Sequence, residues 1–141
     1  MLSCRNSAQD ARAVIEYTGA DAVMIGRAAQ GRPWIFREIN HYLATGEVLA
    51  APGQQEISQI MQDHLTNLYE FYGEYKGVRI ARKHIGWYCK SHQSENEEQV
   101  IAFRKHINAI EDAQLQLDEV MSFFNKITKN RPIAAWIIAM S

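Results

Sequence analysis

The chain has 141 residues, about the length of one domain, and 47% of them are hydrophobic, which is enough for a buried core. Its formal net charge of -1 is too small to indicate a nucleic acid, a membrane surface or an acidic partner from the total alone. Cys4 and Cys89 form no C-x-x-C pair, and the longest apolar run, 132–140, is shorter than the roughly 20 residues of a membrane helix. We therefore expect a cytoplasmic protein without a membrane span.

The first residues predict a helix followed by a buried strand. Ser7 and Asp10 have the spacing of a capping box, and apolar residues continue at helical spacing over about 8–18 until Gly19, a typical helix terminator. Residues 20–25 (A-D-A-V-M-I) are too apolar on both faces for a half-exposed strand, which is typical of a strand covered on both sides in a parallel α/β layer.

The next residues predict a second helix but no second strand. Proline is favoured at the first helical position, so a helix is expected from Pro33 to Thr45, with Gly46 as its terminator. No segment from Arg32 onward has the pattern of a strand. The partner strands of an α/β layer are therefore missing from this chain.

The remainder predicts an antiparallel helical bundle over residues 54–128, after a linker at 47–53. Helices are expected at about 55–72 and 76–91, with Gly73 and Gly77 at the end of the first, and a polar turn follows at 92–96. Asn108 with Glu111 has the spacing of a cap pair before the last helix. The buried positions expected in the last two helices are Val100, Phe103, Ile107, Leu117, Val120, Met121, Phe124 and Ile127.

The stretch K-G-V-R-I-A-R-K-H-I-G-W-Y-C-K predicts a helix with two different sides. We call its cationic side the basic face; it comprises Lys76, Arg79, Arg82, Lys83 and Lys90. The opposite, core side comprises Val78, Ala81, Ile85, Tyr88 and Cys89. No acidic residue lies between Glu74 and Glu95, Gly86 leaves room for a polyanion, and Trp87 offers an indole for base stacking. A nucleic-acid backbone suits this face, and a merely solvated helix face explains it equally well.

A second candidate site is the glycine turn at Gly26 and Arg27. A turn between a strand and a helix exposes backbone N–H groups that bind anions, and Arg27 adds a positive charge. The alternative is an ordinary turn with Arg27 in a surface ion pair. The five histidines lack metal-site spacing, and no complete catalytic set is present, so neither metal-ligating nor catalytic residues are predicted.

Two motifs, G-A-D-A-V-M-I-G-R-A-A-Q-G-R-P-W-I-F and K-G-V-R-I-A-R-K-H-I-G-W-Y, resemble the C-terminal part of bacterial tRNA-dihydrouridine synthases of the B-type subgroup. The intervening R-E-I-N-H-Y-L-A-T-G-E and the later N-A-I-E-D-A are also similar, so the resemblance covers about residues 7–127. It implies reduction of uridine in tRNA to dihydrouridine through flavin mononucleotide (FMN), with NADPH supplying the electrons. It also implies a TIM barrel followed by a helical tRNA-binding domain.

The resemblance assigns roles to the predicted elements. The fold would be mostly α: residues 1–46 would be the C-terminal remnant of the flavin-binding barrel, with 21–25 as its eighth strand, and 54–128 the tRNA-binding domain before a divergent tail at 129–141. The backbone N–H groups of Gly26 and Arg27 would hold the flavin phosphate. The tRNA contacts would come from the basic face.

The resemblance also shows what this chain lacks. The family's catalytic cysteine and the flavin contacts from earlier strands have no counterpart here, and Cys4 is not given the catalytic role. A truncated or frameshifted reading frame would produce this pattern, so the chain alone is expected to be inactive, with a missing N-terminal barrel segment as a possible partner. Two alternatives remain: a freestanding helical RNA-binding module, and a degraded product whose strand at 20–25 pairs with other chains.

Overall fold

The computed structural model describes residues 7–91 and 97–129, and this part of the chain is helical without any β-strand. Its elements are α1 (Ala8–Thr18), a short 3₁₀ helix (Arg27–Ala29), α2 (Ile35–Thr45), α3 (Gln54–Ser91), α4 (Glu97–Ala109) and α5 (Ala113–Lys129). They form two compact units, one within residues 1–52 and 87–91, the other within residues 53–86 and 92–141. The predictions on Cys4, on the turn at 92–96 and on the tail from 130 onward lie outside the described residues.

In the first unit, α1 has the predicted ends. The Ser7 side-chain oxygen accepts a hydrogen bond from the Asp10 backbone N–H at 3.1 Å, which caps the first turn. Gly19 adopts a left-handed conformation with φ 69° and donates its N–H to the Ile15 carbonyl. The core of this unit consists of Ala8, Ala11, Ile35 and Ile39, with Val14, Val23, Ile25, Ala28, Ala29 and Tyr42 packed against it.

The predicted strand at 21–25 is wrong for this structure. Val23 and Ile25 pack on the core formed by α1 and α2, but Met24 between them is 70% exposed, so only one side of the segment is covered. A strand exists only where a neighbouring segment completes its hydrogen bonds, and no described part of the chain supplies that neighbour. The predicted cover on both sides is also wrong, because Val23 and Ile25 are only half-buried while Asp21, Ala22 and Met24 are exposed.

The second helix starts two residues later than predicted. Pro33 lies in the turn before α2, and Trp34 is the N-cap. The Ile35 N–H donates to the Arg32 carbonyl oxygen at 3.1 Å, which closes a turn around Pro33 and Trp34. The fixed φ of proline suits such a turn as well as a first helical turn, so the pattern alone favoured the wrong position. The predicted terminator Gly46 is confirmed, with φ 73°.

Gly31 allows the end of α3 to approach this turn within the first unit. Its φ is 72°, a conformation that other residues rarely adopt, and a Cβ there would collide with the backbone carbonyl group of Trp87. The same Cβ would lie 2.9 Å from the Ser91 hydroxyl oxygen. Residues 87–91 therefore pack directly on the G-R-P-W turn, where only glycine fits.

The long helix α3, most of which lies in the second unit, is a helical hairpin. Gly73, with φ 75° and ψ 166°, separates a first segment, α3a (54–72), from a second, α3b (74–91), as the sequence predicted. Gly77 does not lie at a helix end, which corrects the prediction, but inside α3b, where a Cβ would lie 2.9 Å from the Leu68 carbonyl oxygen. The two segments thus fold back on each other with their backbones in close approach.

A buried glutamine ties α5 to both segments of this hairpin. The Tyr69 hydroxyl donates to Gln116 Oε1 at 2.6 Å, and Gln116 Nε2 donates to the Val78 carbonyl oxygen at 3.2 Å. Gln116 is fully buried, so these bonds satisfy polar atoms that water does not reach. Burial also raises the pKa of Tyr69 above its ordinary value, so the hydroxyl stays a donor even in alkaline solution.

The last two helices bury most of the predicted positions. The buried positions are Val100, Phe103, Ile107, Val120 and Phe124, while Leu117, Met121 and Ile127 are half-buried. The proposed cap pair is wrong: Asn108 lies inside α4, and Asp112 caps α5 by accepting the Leu115 N–H at 2.7 Å. Because α4 extends to Ala109, Asn108 is helical and cannot cap α5.

Candidate functional site

The basic face is one side of α3b, and the structure confirms that the helix has two different sides. All five predicted core residues are buried: Val78, Ala81, Ile85, Tyr88 and Cys89. On the other side, Lys76, Lys83 and Lys90 are exposed, and Arg79 and Arg82 are half-buried. The helix therefore presents cations to solvent along its length while its other side packs.

The two arginines of the basic face contact the connection between α4 and α5. Arg82 Nη2 donates to the Ile110 carbonyl oxygen at 2.8 Å. Arg79 Nη2 lies 3.5 Å from the carboxylate of Glu111, which lies between α4 and α5. The sequence of the helix itself contains no acidic residue beyond Glu74, so this contact was not expected. Contacts within the protein thus engage part of the arginine charge. The lysines therefore contribute more of the exposed positive charge than the sequence suggested.

Arg104 of α4 is a cation near this face that the sequence did not indicate. Its guanidinium lies against Gly86, where a Cβ would be 3.3 Å from Nη2. The space at Gly86, expected to admit a polyanion, is therefore occupied by a positive group. Gly86 instead allows a cation from a second helix to extend the basic face.

The exposed aromatic residue of this face is Tyr75 rather than Trp87. Trp87 is half-buried in the first unit, so its indole is less accessible than expected. Tyr75 is 70% exposed, and the Arg79 guanidinium carbon lies 3.7 Å from the centre of its ring. The sequence signal for this pair was the Y-x-x-x-R spacing, which places both side chains on one face of a helix.

Two half-buried histidines meet between the hairpin segments. The ring centres of His64 in α3a and His84 in α3b lie 4.7 Å apart, edge to face. Burial lowers the pKa of both imidazoles, and the proximity of His64 and then of Lys83 lowers the pKa of His84 further. Both imidazoles therefore bind a proton less readily in the folded protein than in the unfolded chain.

We expect this histidine pair to make stability depend on pH. Because the folded state binds protons less readily than the unfolded state, their contribution is complete above the ordinary histidine pKa of 6.5 and is lost as the pH falls below it. Urea unfolding at pH 7.5, 6.5 and 5.5 measures this loss. A His64→Gln, His84→Gln variant should lose less free energy of unfolding over that interval than the original chain; equal losses would contradict the prediction.

The Gly26–Arg27 turn is open to solvent. Both residues are exposed, and a Cβ at Gly26 would have no heavy atom within 4 Å. The Gly26 carbonyl accepts the Ala29 N–H at 3.0 Å, whereas the N–H groups of Gly26 and Arg27 have no acceptor among the described residues. These features fit one side of an anion site, with two donors and nothing to block approach.

Other classes of site are not seen in the described part of the chain. Within residues 7–91 and 97–129, no three His, Cys, Asp or Glu side chains are grouped as metal ligands. None of the helices there has both the length and the apolar character that a membrane span needs.

The structure thus defines a helical protein with a cationic helix face and an exposed glycine turn. The family model for dihydrouridine synthases matches residues 5–129, and the chain belongs to this family. It is 56% identical over 119 residues to tRNA-dihydrouridine synthase B of Proteus vulgaris, covering 84% of this chain and 35% of that protein. It is 51% identical over 122 residues to tRNA-dihydrouridine synthase B of Vibrio parahaemolyticus, covering 86% and 36% respectively. The chain therefore spans about a third of the length of the curated relatives that it matches.

Proposed function

We propose that this chain is the C-terminal part of a flavin-dependent tRNA-dihydrouridine synthase, and that α3b binds tRNA through the basic face. The observation that carries the proposal is the family match, because residues 5–129 include both the glycine turn and the whole basic face. The names of the relatives supply the reaction, the reduction of uridine in tRNA. The divergent tail has no role in the proposal.

The basic face binds the phosphate backbone of tRNA. Lys76, Lys83 and Lys90 reach phosphates as point charges. Arg82 adds its charge, and Arg79 adds the part of its charge that Glu111 does not neutralise. Such contacts release counterions and position the RNA without reading its sequence. They therefore account for affinity, and the choice of uridine belongs to other parts of the enzyme.

Residues 7–46 form the end of the flavin barrel, and the N–H groups of Gly26 and Arg27 bind the phosphate of FMN. Two exposed donors and the open approach at Gly26 support this role. A flavin bound there would supply the hydride chemistry that reduces the uracil double bond, with NADPH as the proposed source of electrons. No residue of this chain is assigned to proton transfer, so in this proposal that role belongs to other parts of the enzyme.

Binding measurements on the purified chain test the proposal. Fluorescence anisotropy of labelled tRNA between 50 and 300 mM salt should show a steep loss of affinity. The logarithm of the association constant should fall with the logarithm of the salt concentration, with a slope of about 0.9 per phosphate contacted. Titration with FMN should show no tight binding, since the chain holds only one side of the phosphate site. Salt-independent tRNA binding would contradict the first expectation, and tight flavin binding the second.

The alternative is a freestanding RNA-binding module, which the location of the whole basic face within one helix favours. Mixing the chain with the N-terminal barrel of a relative separates the two functions. Formation of dihydrouridine only in the mixture supports the synthase. Unchanged tRNA binding without any reaction supports the module.

A further inference from the structure

We propose that Tyr75 stacks on an unpaired base of the bound RNA, so that the second unit recognises a loop or a splayed nucleotide rather than a continuous duplex. This inference rests on the proposed RNA binding and adds the kind of RNA structure that is bound. Its basis is a large aromatic ring, 70% exposed, at one end of a cationic helix face.

The ring of Tyr75 is held in place from one side. The Arg79 guanidinium carbon lies 3.7 Å from the ring centre, Arg79 Nη1 donates to the Tyr75 carbonyl at 2.9 Å, and Glu111 contacts Nη2 at 3.5 Å. These three contacts fix the guanidinium against the ring. A base that stacks on the exposed side then meets a surface that is already ordered, which reduces the entropy lost on binding.

The position of Tyr75 suits a base whose phosphates follow the basic face. Residues 75, 79 and 86 recur at helical spacing on one side of α3b, and the helix rise separates Tyr75 from Gly86, where the Arg104 guanidinium lies, by about 16 Å along the axis. Lys83 lies between them on this side. An RNA strand along the lysines would thus bring its bases to the aromatic end.

The surroundings of Tyr75 favour a base over a phosphate. Glu70 and Glu74 flank the Gly73 turn, so phosphates should bind farther along α3b. Next to them Phe71 is 82% exposed and Tyr72 is 45% exposed, with ring centres 4.8 Å apart. Exposed aromatic residues beside cations are typical of surfaces that stack unpaired bases.

The experiment compares two RNAs of equal length, a hairpin with 2-aminopurine in its unpaired loop and a fully paired duplex. Tyr75→Ala should weaken binding of the hairpin at least about fivefold, with little change for the duplex and with the same salt slope, because no charge is removed. Tyr75→Phe keeps the ring and should bind like the original chain. Tyr17→Ala is the matched control, since Tyr17 is 88% exposed on α1.

Several results would overturn the proposal. The proposal fails if Tyr75→Ala binds the hairpin as tightly as the original chain, or if it loses affinity for hairpin and duplex equally. It also fails if the variant loses only self-association in sedimentation, because the aromatic group would then be a protein contact. If the original chain binds neither RNA at low salt, the proposed function itself fails. Thermal unfolding by circular dichroism checks that each variant is folded, and quenching of 2-aminopurine that persists in Tyr75→Phe but not in Tyr75→Ala supports stacking.

Discussion

Replacing Lys76 and Lys83 together with glutamate is expected to weaken tRNA binding on the order of tenfold or more at low salt and to flatten its salt dependence by about two phosphate contacts. Both lysines are exposed on α3b, so reversing their charge removes attraction and adds repulsion without disturbing the core. Anisotropy titrations at several salt concentrations measure both the affinity and the slope.

Lys126→Glu is the matched control for this prediction, since Lys126 is exposed on α5 outside the basic face. It produces the same change of charge per residue and should alter the salt slope little. An equal loss per residue in both variants would show that binding follows net charge rather than the basic face. Arg79 and Arg82 are poorer choices, because they contact Glu111 and Ile110 and their replacement also perturbs the α4–α5 connection.

Replacing Gly77 with alanine is expected to destabilise the protein by about 1–3 kcal/mol, although alanine is the better helix former. The added methyl group would lie 2.9 Å from the Leu68 carbonyl oxygen and 3.0 Å from the Tyr69 Cα, and both are backbone atoms of the facing segment. The two segments of the hairpin would have to move apart. Urea unfolding followed by circular dichroism measures the change.

Gly86→Ala is the control on the same helix. The nearest atoms to its Cβ belong to the end of the Arg104 side chain, at 3.3 Å, and this side chain has room to move because it is exposed. Helix propensity should then dominate, with a change between zero and about 1 kcal/mol of stabilisation. Destabilisation of the same size in both variants would refute the distinction between backbone and side-chain neighbours.

Much of the helical structure was predictable because it depends on residues close together in sequence. Ser7 caps α1, Gly19 and Gly46 end α1 and α2 in left-handed conformations, and Gly73 interrupts α3. The division of α3b into basic and core sides was equally predictable, since helical periodicity alone places residues on a face. The family resemblance was also predictable, because its two main motifs, at 19–36 and 76–88, are continuous stretches of sequence.

Contacts between distant residues were decided only by the tertiary structure. Arg79 and Glu111 are 32 residues apart, and no periodicity predicts that they meet. The same is true of Arg104 against Gly86, and of the ordering of Arg79 on Tyr75, which depends partly on Glu111. The segment at 21–25 shows the reverse case: its residues have the composition of a strand, but a strand requires hydrogen-bonding partners, and the described chain contains none.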